Sequence, residues 1–519
     1  MKKTRQPISA PALSVLSGFL VAIAACAPSP AMTPDCSSIA QLSLQDTVIT
    51  SAAVVEAAAP LPEYCKVLGT VEETINFEVA MPTADWNGKF FFAGGGGYNG
   101  TIPESTVTQG VAHGFASAGS DTGHQGNGGD ASWALDNPQA QTNYGYRATH
   151  LVTGLAKEIV REYYGEGERY SYWLGCSNGG KMGLMEIQRY PEDYDGAVVG
   201  CMVIDRTQLM MSYTWDAQAL APAPIPPEKL PLIDKATLAA CDAQDGLEDG
   251  LIDSPQRCEF DPKTLLCAGT DGEDCLTPGQ VEALEKIYAG PTDSAGKSLH
   301  PGFPPGHEDD YERFLTGTGT MNGPPSSTWG MQDGFMRYFV FGADYDAVKE
   351  FDFDTSLAAL EPLAESQDAA DPDLSAFKAR GGKLIMYHGW ADHSIPAPRT
   401  IQYYEDIRKK LGEGTDDFVR LFMVPGLHHC ARGPGPNSFG GRGQAALKND
   451  AEHDILLALD RWVEEGIAPE QIIAAKFKDD DPGQGVARTR PLCPYPQVAR
   501  YTGSGSIDDA VNFACADPQ

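Results

Sequence analysis

Six residues, "GCSNGG" at 175–180, constrain this chain more than any other stretch. Gly175, Ser177 and Gly179 meet the Gly-x-Ser-x-Gly spacing, which places a serine on a sharp turn between a strand and a helix. Before it, "YSYWLG" (170–175) reads as a buried strand, and "KMGLMEIQRY" (181–190) after it reads as a helix. A strand, a glycine-flanked serine and a helix in that order imply a parallel sheet with an exposed serine at one strand's end. Cys176, directly before the serine, could be a rival nucleophile, a packing residue or half of a disulfide.

The surrounding pattern agrees with such a sheet. Val67 to Ala80 is rich in β-formers, "KFFFAGGGGYNG" (89–100) runs from an apolar strand into a glycine loop, and "GFASAGSD" (114–121) reads as another strand. Tyr144 to Tyr164 has helical periodicity, and "YDGAVVG" (194–200) is the next strand. Alternation of this kind predicts an α/β unit. It stops near Cys201 and returns at "GGKLIMYHG" (381–389) and "VRLFMVPGLHH" (419–429), followed by an amphipathic helix over 449–466. The chain of 519 residues therefore divides into a first core segment (36–202), an inserted lid (203–375) and a second core segment (376–519).

Residues 1–26 read as an export signal. Lys2, Lys3 and Arg5 precede an apolar run from Leu13 to Ala25, too short for a confident membrane span. The run ends in Ile23-Ala24-Ala25-Cys26, like a bacterial lipoprotein cleavage box with Cys26 as the lipidated residue; ordinary signal cleavage nearby is the alternative. A Pro/Ala-rich linker (27–35) follows. The mature protein is expected outside the cytoplasm, as a periplasmic or outer-membrane lipoprotein or a freely secreted monomer. Its 71 acidic against 38 basic residues, a formal charge of −33, would repel nucleic acid and anionic lipid headgroups. Twelve cysteines in an exported chain suggest disulfides. Proximity pairs Cys36 with Cys65, Cys241 with Cys258, Cys267 with Cys275 and Cys493 with Cys515, leaving Cys176, Cys201 and Cys430 besides Cys26.

A serine hydroxyl needs a base to take its proton and an acid to orient that base. In hydrolases with this elbow the acid and then the histidine follow the serine. Asp392 lies in "YHGWADHSIP" (387–396) after an apolar strand, and His428 and His429 follow another in "PGLHHCARG" (425–433). His388 and His393 could be loop residues that satisfy carbonyls. Cys430 favours His429, since a Cys176–Cys430 bridge would hold nucleophile and base loops at a fixed separation; buried free thiols are the alternative.

With "GCSNGG", "HGWADHSIP", "HHC" and "WNGKFFFAGGGGYNG" in hand, the chain resembles the tannase and feruloyl esterase family over nearly all of residues 36–519. The relatives include a bacterial hydrolase of mono(2-hydroxyethyl) terephthalate. The resemblance implies an α/β-hydrolase core with a large lid, Ser177 as nucleophile, Asp392 as acid, His429 as base, and the Cys176–Cys430 bridge. The oxyanion would rest on the amide of Asn178 and on the glycine loop at Gly96 or Gly97. In "CDAQDGLEDGLIDSPQRC" (241–258), Asp242, Asp245 and Asp249 crowd a glycine-bearing loop and suit a hard cation. Solvated Asx turns are the other reading. The resemblance implies calcium there, with the carbonyls of Leu247 and Leu251 completing the ligands. Ile395, Trp329 and Phe335 are candidate pocket walls, and Arg313 and Arg337 candidate lid cations.

The expected function is an exported serine esterase acting on feruloyl, hydroxycinnamoyl or related aromatic esters, with no organic cofactor. A tannase or terephthalate-monoester hydrolase is the alternative within the family. A catalytically inactive, calcium-stabilised surface binding protein is the alternative of another class.

Overall fold

Phe90, Phe91 and Phe92 are all fully buried, which an alternating half-exposed strand could not achieve. The reason is a central position in a sheet covered on both faces. A computed structural model describes residues 1–4, 6–7, 35–317 and 326–518. Most of the signal segment, with Cys26, and most of the linker lie outside the described residues.

Nine strands form the main sheet: β1 (Thr47–Val55), β2 (Tyr64–Val71), β3 (Ile75–Pro82), β4 (Lys89–Ala93), β5 (Ala116–Ser120), β6 (Tyr170–Cys176), β7 (Gly196–Gly200), β8 (Lys383–Gly389) and β9 (Val419–Val424). Their spatial order is β1-β2-β3-β5-β4-β6-β7-β8-β9. The β1–β2, β2–β3 and β3–β5 pairs are antiparallel, and all pairs from β5 through β9 are parallel. This is the α/β-hydrolase arrangement. The β-rich stretch from Val67 to Ala80 resolves into parts of β2 and β3 around a tight turn.

Two helices differ from the sequence reading at their starts. Regular α-helix begins at Ala148 rather than Tyr144, because Asn143–Arg147 is wound more widely and turns Tyr144 inward. The helix expected over 449–466 spans Ile455–Glu465, because the Asp454 side chain accepts from the amides of Leu456 and Leu457 and caps it there.

Between β7 and β8 the chain leaves the sheet and forms helices, among them Arg206–Leu220, Leu230–Cys241, Pro278–Ala289 and Ser327–Phe335. Ile225, Leu230, Ile233, Leu284, Ile287 and Phe303 give this region an apolar cluster of its own. A second cluster joins Met210, Phe335 and Phe339 to Tyr98 and Tyr144, which belong to the first core segment. After β9, the strands β10 (Ile472–Phe477) and β11 (Val486–Leu492) pair antiparallel. No described helix is long and apolar enough to cross a membrane.

Candidate active site

Ser177 sits between β6 and the helix Asn178–Arg189 with φ 62° and ψ −127°, a conformation that costs a non-glycine residue energy. The strand and helix can meet so closely only without side chains. A Cβ on Gly175 would lie 2.2 Å from the Gly179 carbonyl oxygen, and one on Gly179 would lie 2.6 Å from that of Gly95. The two flanking glycines are thus steric requirements of the turn.

Asp392 follows β8 and is 1% exposed. One carboxylate oxygen accepts from the amides of Ser394 (2.8 Å) and Ile395 (2.9 Å), and the other lies 2.8 Å from His429 Nδ1. Burial alone would push this carboxyl up. The histidines His429 and His388 outweigh it and hold the group well below the usual carboxylate range. His388 is fully buried between Thr400 Oγ1 (2.7 Å) and the Ile395 carbonyl (3.1 Å), and its Nε2 lies 3.3 Å from Asp392. His393 Nε2 is 3.1 Å from the Gly306 carbonyl oxygen. His428 faces Asp309 and Asp310, away from Asp392, so the acid meets His429 and not its neighbour.

Ser177 and His429 line one cavity of about 770 Å³, together with Gly96, Gly97 and Ile395. Cys176 and Cys430 are bonded, joining the end of β6 to the loop carrying His429. The other bridges are Cys36–Cys65, Cys241–Cys258, Cys267–Cys275 and Cys493–Cys515, and Cys201 is a buried free thiol.

Asn178 is the first residue of its helix, so its amide has no partner within the helix. Its side chain is held on every side. Oδ1 lies 3.0 Å from the Tyr144 hydroxyl and 2.7 Å from Arg206 Nη2, while Nδ2 donates to Asn99 at 2.9 Å. The same Tyr144 hydroxyl lies 2.9 Å from the Gly97 carbonyl oxygen. One phenol O–H, which has a single proton to donate to these two acceptors, therefore sits between the glycine loop and the residue after Ser177. Sequence reasoning missed Tyr144, for which there was no signal. It also missed Arg206, for which there was one: a cation between the apolar stretches "MVI" (202–204) and "LMM" (209–211).

The pocket walls sort unevenly. Ile395 lines the cavity. Phe335 is fully buried and stacked on Phe339 with ring centroids 5.0 Å apart, so it is packing in the aromatic cluster rather than pocket surface. Trp329, half-buried, is not among the lining residues. Arg313 lines the cavity, whereas Arg337 is turned toward the Tyr345 carbonyl (3.0 Å) and Asp333 (3.4 Å).

In the acidic loop, Asp242 accepts from the amides of Asp249 and Gly250, and Asp245 from that of Leu247. Asp249 pairs with Arg490 at 2.7 Å, and its own amide neighbour Leu251 donates to it. Asp253, unnoticed in the sequence, is buried beside Asp245. Burial and that neighbour's charge push its carboxyl up to about 8. Oxygen ligands of this kind are what calcium accepts, but the carboxylates of Asp242, Asp245 and Asp249 do not all come within 4.8 Å of one another, and Asp249 is drawn to Arg490 instead. Leu251 packs against Gly426, three residues before His429, which links this loop to the base loop.

Similar proteins agree with this geometry. The chain is 38% identical to an uncharacterized esterase of Xanthomonas campestris pv. campestris, over 97% of this chain and 95% of that one. It is 36% identical to the mono(2-hydroxyethyl) terephthalate hydrolase of Piscinibacter sakaiensis, over 89% and 86%. The crystal structure of feruloyl esterase B from Aspergillus oryzae superposes with a TM-score of 0.83 at 27% identity, covering 93% of this chain and all of that one. The family model for tannase and feruloyl esterase matches residues 61–516, a span that holds the elbow, the bonded cysteines and both partner loops, and the chain belongs to that family of carboxylic ester hydrolases.

Proposed function

We propose that this protein is an exported serine esterase that hydrolyses esters of aromatic acids through an acyl–Ser177 intermediate. The observation that carries this reading is the cavity shared by Ser177 and a His429 already oriented by a buried, ionised Asp392. Ser177 Oγ attacks the ester carbonyl carbon while His429 Nε2 takes its proton, with Asp392 holding the Nδ1 proton and stabilising the imidazolium. The oxyanion that forms is met by the amide of Asn178 and by the glycine loop at Gly96 or Gly97. His429 returns the proton to the departing alcohol, and water, activated by the same histidine, releases the acid.

Relatives named feruloyl esterase and terephthalate-monoester hydrolase support an aromatic acyl group. Calcium is a structural ion in this reading, held by Asp242, Asp245 and Asp249 with the carbonyls of Leu247 and Leu251. Disulfides support export, with a lipid tether at Cys26. Initial rates on methyl ferulate, methyl gallate and a terephthalate monoester test the proposal. Ser177→Ala should lower turnover at least about 10⁴-fold, and an organophosphonate should label Ser177. No turnover on any ester, with Ser177 unlabelled, would leave the inactive binding protein instead.

A further inference from the structure

Outside the cavity, His150, Glu186 and Asp193 bring one ring nitrogen and two carboxylate oxygens together, all within 4.8 Å of one another. The described residues hold two other such clusters, but those consist of the sulfurs around the Cys176–Cys430 bridge and of Cys201 with the Asp392–His429 pair. His150 comes from the first turn of the helix Ala148–Tyr164, Glu186 from the helix Asn178–Arg189 that follows Ser177, and Asp193 from the connection to β7. Glu186 is fully buried, and neither of its carboxylate oxygens has a hydrogen-bond partner in the protein. The donors around the cluster are already committed. Lys157 gives its ammonium to the Asp193 carbonyl oxygen (2.5 Å) and to Glu168 (3.4 Å). The Thr153 hydroxyl donates to the Thr149 carbonyl (2.9 Å) and so accepts from Tyr194 (2.6 Å). A buried carboxylate left in that state is costly, and a cation or a proton must answer it.

We propose that His150 Nδ1, Glu186 and Asp193 bind a divalent transition-metal ion of the zinc class, which pins the far end of the helix that Ser177 begins. Two carboxylates and a neutral imidazole carry two negative charges, which one such ion neutralises. The imidazole favours zinc over calcium or magnesium, and three protein ligands fall well short of the oxygens that calcium gathers. Three protein ligands with water in the fourth position suit tetrahedral zinc. Bonds of about 2.1 Å set neighbouring ligand atoms about 3.4 Å apart. His150 Nδ1 and Asp193 Oδ2, which lie 2.7 Å apart, would separate to that distance as the ion replaces the proton between them. Stacking on Tyr190, with ring centroids 3.6 Å apart and planes 8° from parallel, fixes the imidazole plane. The His150 side chain is 36% exposed, which gives the ion a way in from solvent. Glu186 lies about 13 Å along the helix from Ser177, and the site needs no part of the esterase reading.

The probe is zinc chloride, added to the purified protein after 1,10-phenanthroline has removed transition metals, with excess calcium present throughout so that the acidic loop is not tested at the same time. Titration calorimetry should show one zinc bound per chain, and saturating zinc should raise the melting temperature by a few degrees. Glu186→Gln keeps the shape and loses the charge. It should weaken binding at least about 100-fold, more than losing a hydrogen-bond partner of a metal ligand costs. His150→Ala, at a partly exposed position, should weaken it comparably and gives the same readout if Glu186→Gln does not fold. Ester turnover per folded molecule should not follow the zinc. The rival occupant is a proton shared between the two carboxyls, since burial and the Asp193 charge push the Glu186 carboxyl well up. In that case zinc gives neither heat nor a shift in melting temperature with the wild type, and Glu186→Gln melts at or above it. Zinc held equally by the wild type and both variants would place the ion elsewhere. Either result overturns the proposal.

Discussion

The two sides of the cavity are built differently. Around Ser177 the geometry is imposed by backbone: a left-handed serine, glycines that admit no Cβ, and a disulfide to the base loop. Across from it, the inserted region supplies Met210, Tyr213, Phe314 and Met331 as ordinary side chains from separate helices and turns. The first side tolerates few residues at each position, and the second tolerates many that fill the same volume. Chemistry is therefore fixed on the backbone side, and selectivity is adjustable on the other.

The largest way to break that contrast is to cut the backbone side's tether. Replacing Cys176 and Cys430 together by Ala should lower turnover about 10²-fold, since a displacement of about 1 Å between base and nucleophile has that cost. KM should change much less. The sheet and the remaining bridges should still fold, which circular dichroism would verify. Full turnover in the double variant would make the bridge irrelevant to catalysis.

A smaller loss should follow from Tyr144→Phe, which keeps the ring and removes the hydroxyl between Gly97 and Asn178. Turnover should fall about tenfold, as expected for losing a buried hydrogen bond that positions oxyanion donors. An unchanged turnover number would show that the two halves hold their spacing without it.

These two variants also mark what the sequence could disclose. The elbow, Asp392 and the cysteine pair were legible because each needs a particular residue type at a fixed spacing. Tyr144 was not, because its role depends on a wide helical turn that brings position 144 under position 97, and no local pattern announces that. Phe335 shows the converse: an aromatic in the inserted region was read as pocket wall, but burial against Phe339 claimed it. The second core segment was legible through β8 and β9, both apolar runs. The start of its last helix was not, until Asp454 was seen to cap it.

The seam between the two sides should respond to acid. Burial lowers His393 to about 3 and His307 to about 4, with the nearby His428 adding to both shifts. Unfolded histidines titrate near 6.5 and so bind protons that the folded ones refuse. The stability these groups contribute is complete above that pH and is lost as pH falls toward 4. Melting temperature should decline over that window, and His393→Gln should flatten the decline. A melting temperature that stays level between pH 6.5 and 4 would contradict the shifts.

The proposed calcium ion belongs to the same comparison, since the loop that would hold it lies on the inserted side but touches Gly426 on the other. Chelation or Asp245→Ala should lower the melting temperature by several degrees, of the order that binding to the native state alone provides. Turnover per folded molecule should change less. Metal analysis finding no calcium in protein purified without chelator, with no shift on adding it, would remove the ion from the proposal.

The subtlest test uses Cys201. Its sulfur lies within 4.8 Å of both Cys176 and Cys430, and burial, with Asp392 nearby, pushes its thiol far up. In the wild type it should resist alkylation until the protein unfolds. In either single variant, however, the oxidant that closes the other bridges would meet a new pair of neighbouring thiols. Cys176→Ala leaves Cys201 with Cys430, and their bond would still tether the His429 loop to the sheet, now through the residue after β7. Cys430→Ala leaves Cys201 with Cys176, and that bond would join two sheet strands and leave the His429 loop untied. The two single variants should therefore differ: Cys176→Ala should keep several-fold more turnover than Cys430→Ala, which should match the double variant. Peptide mapping should find Cys201 linked to Cys430 in the first. Equal turnover in the two, with Cys430 recovered as a free thiol in Cys176→Ala, would show that Cys201 is a packing residue and nothing more.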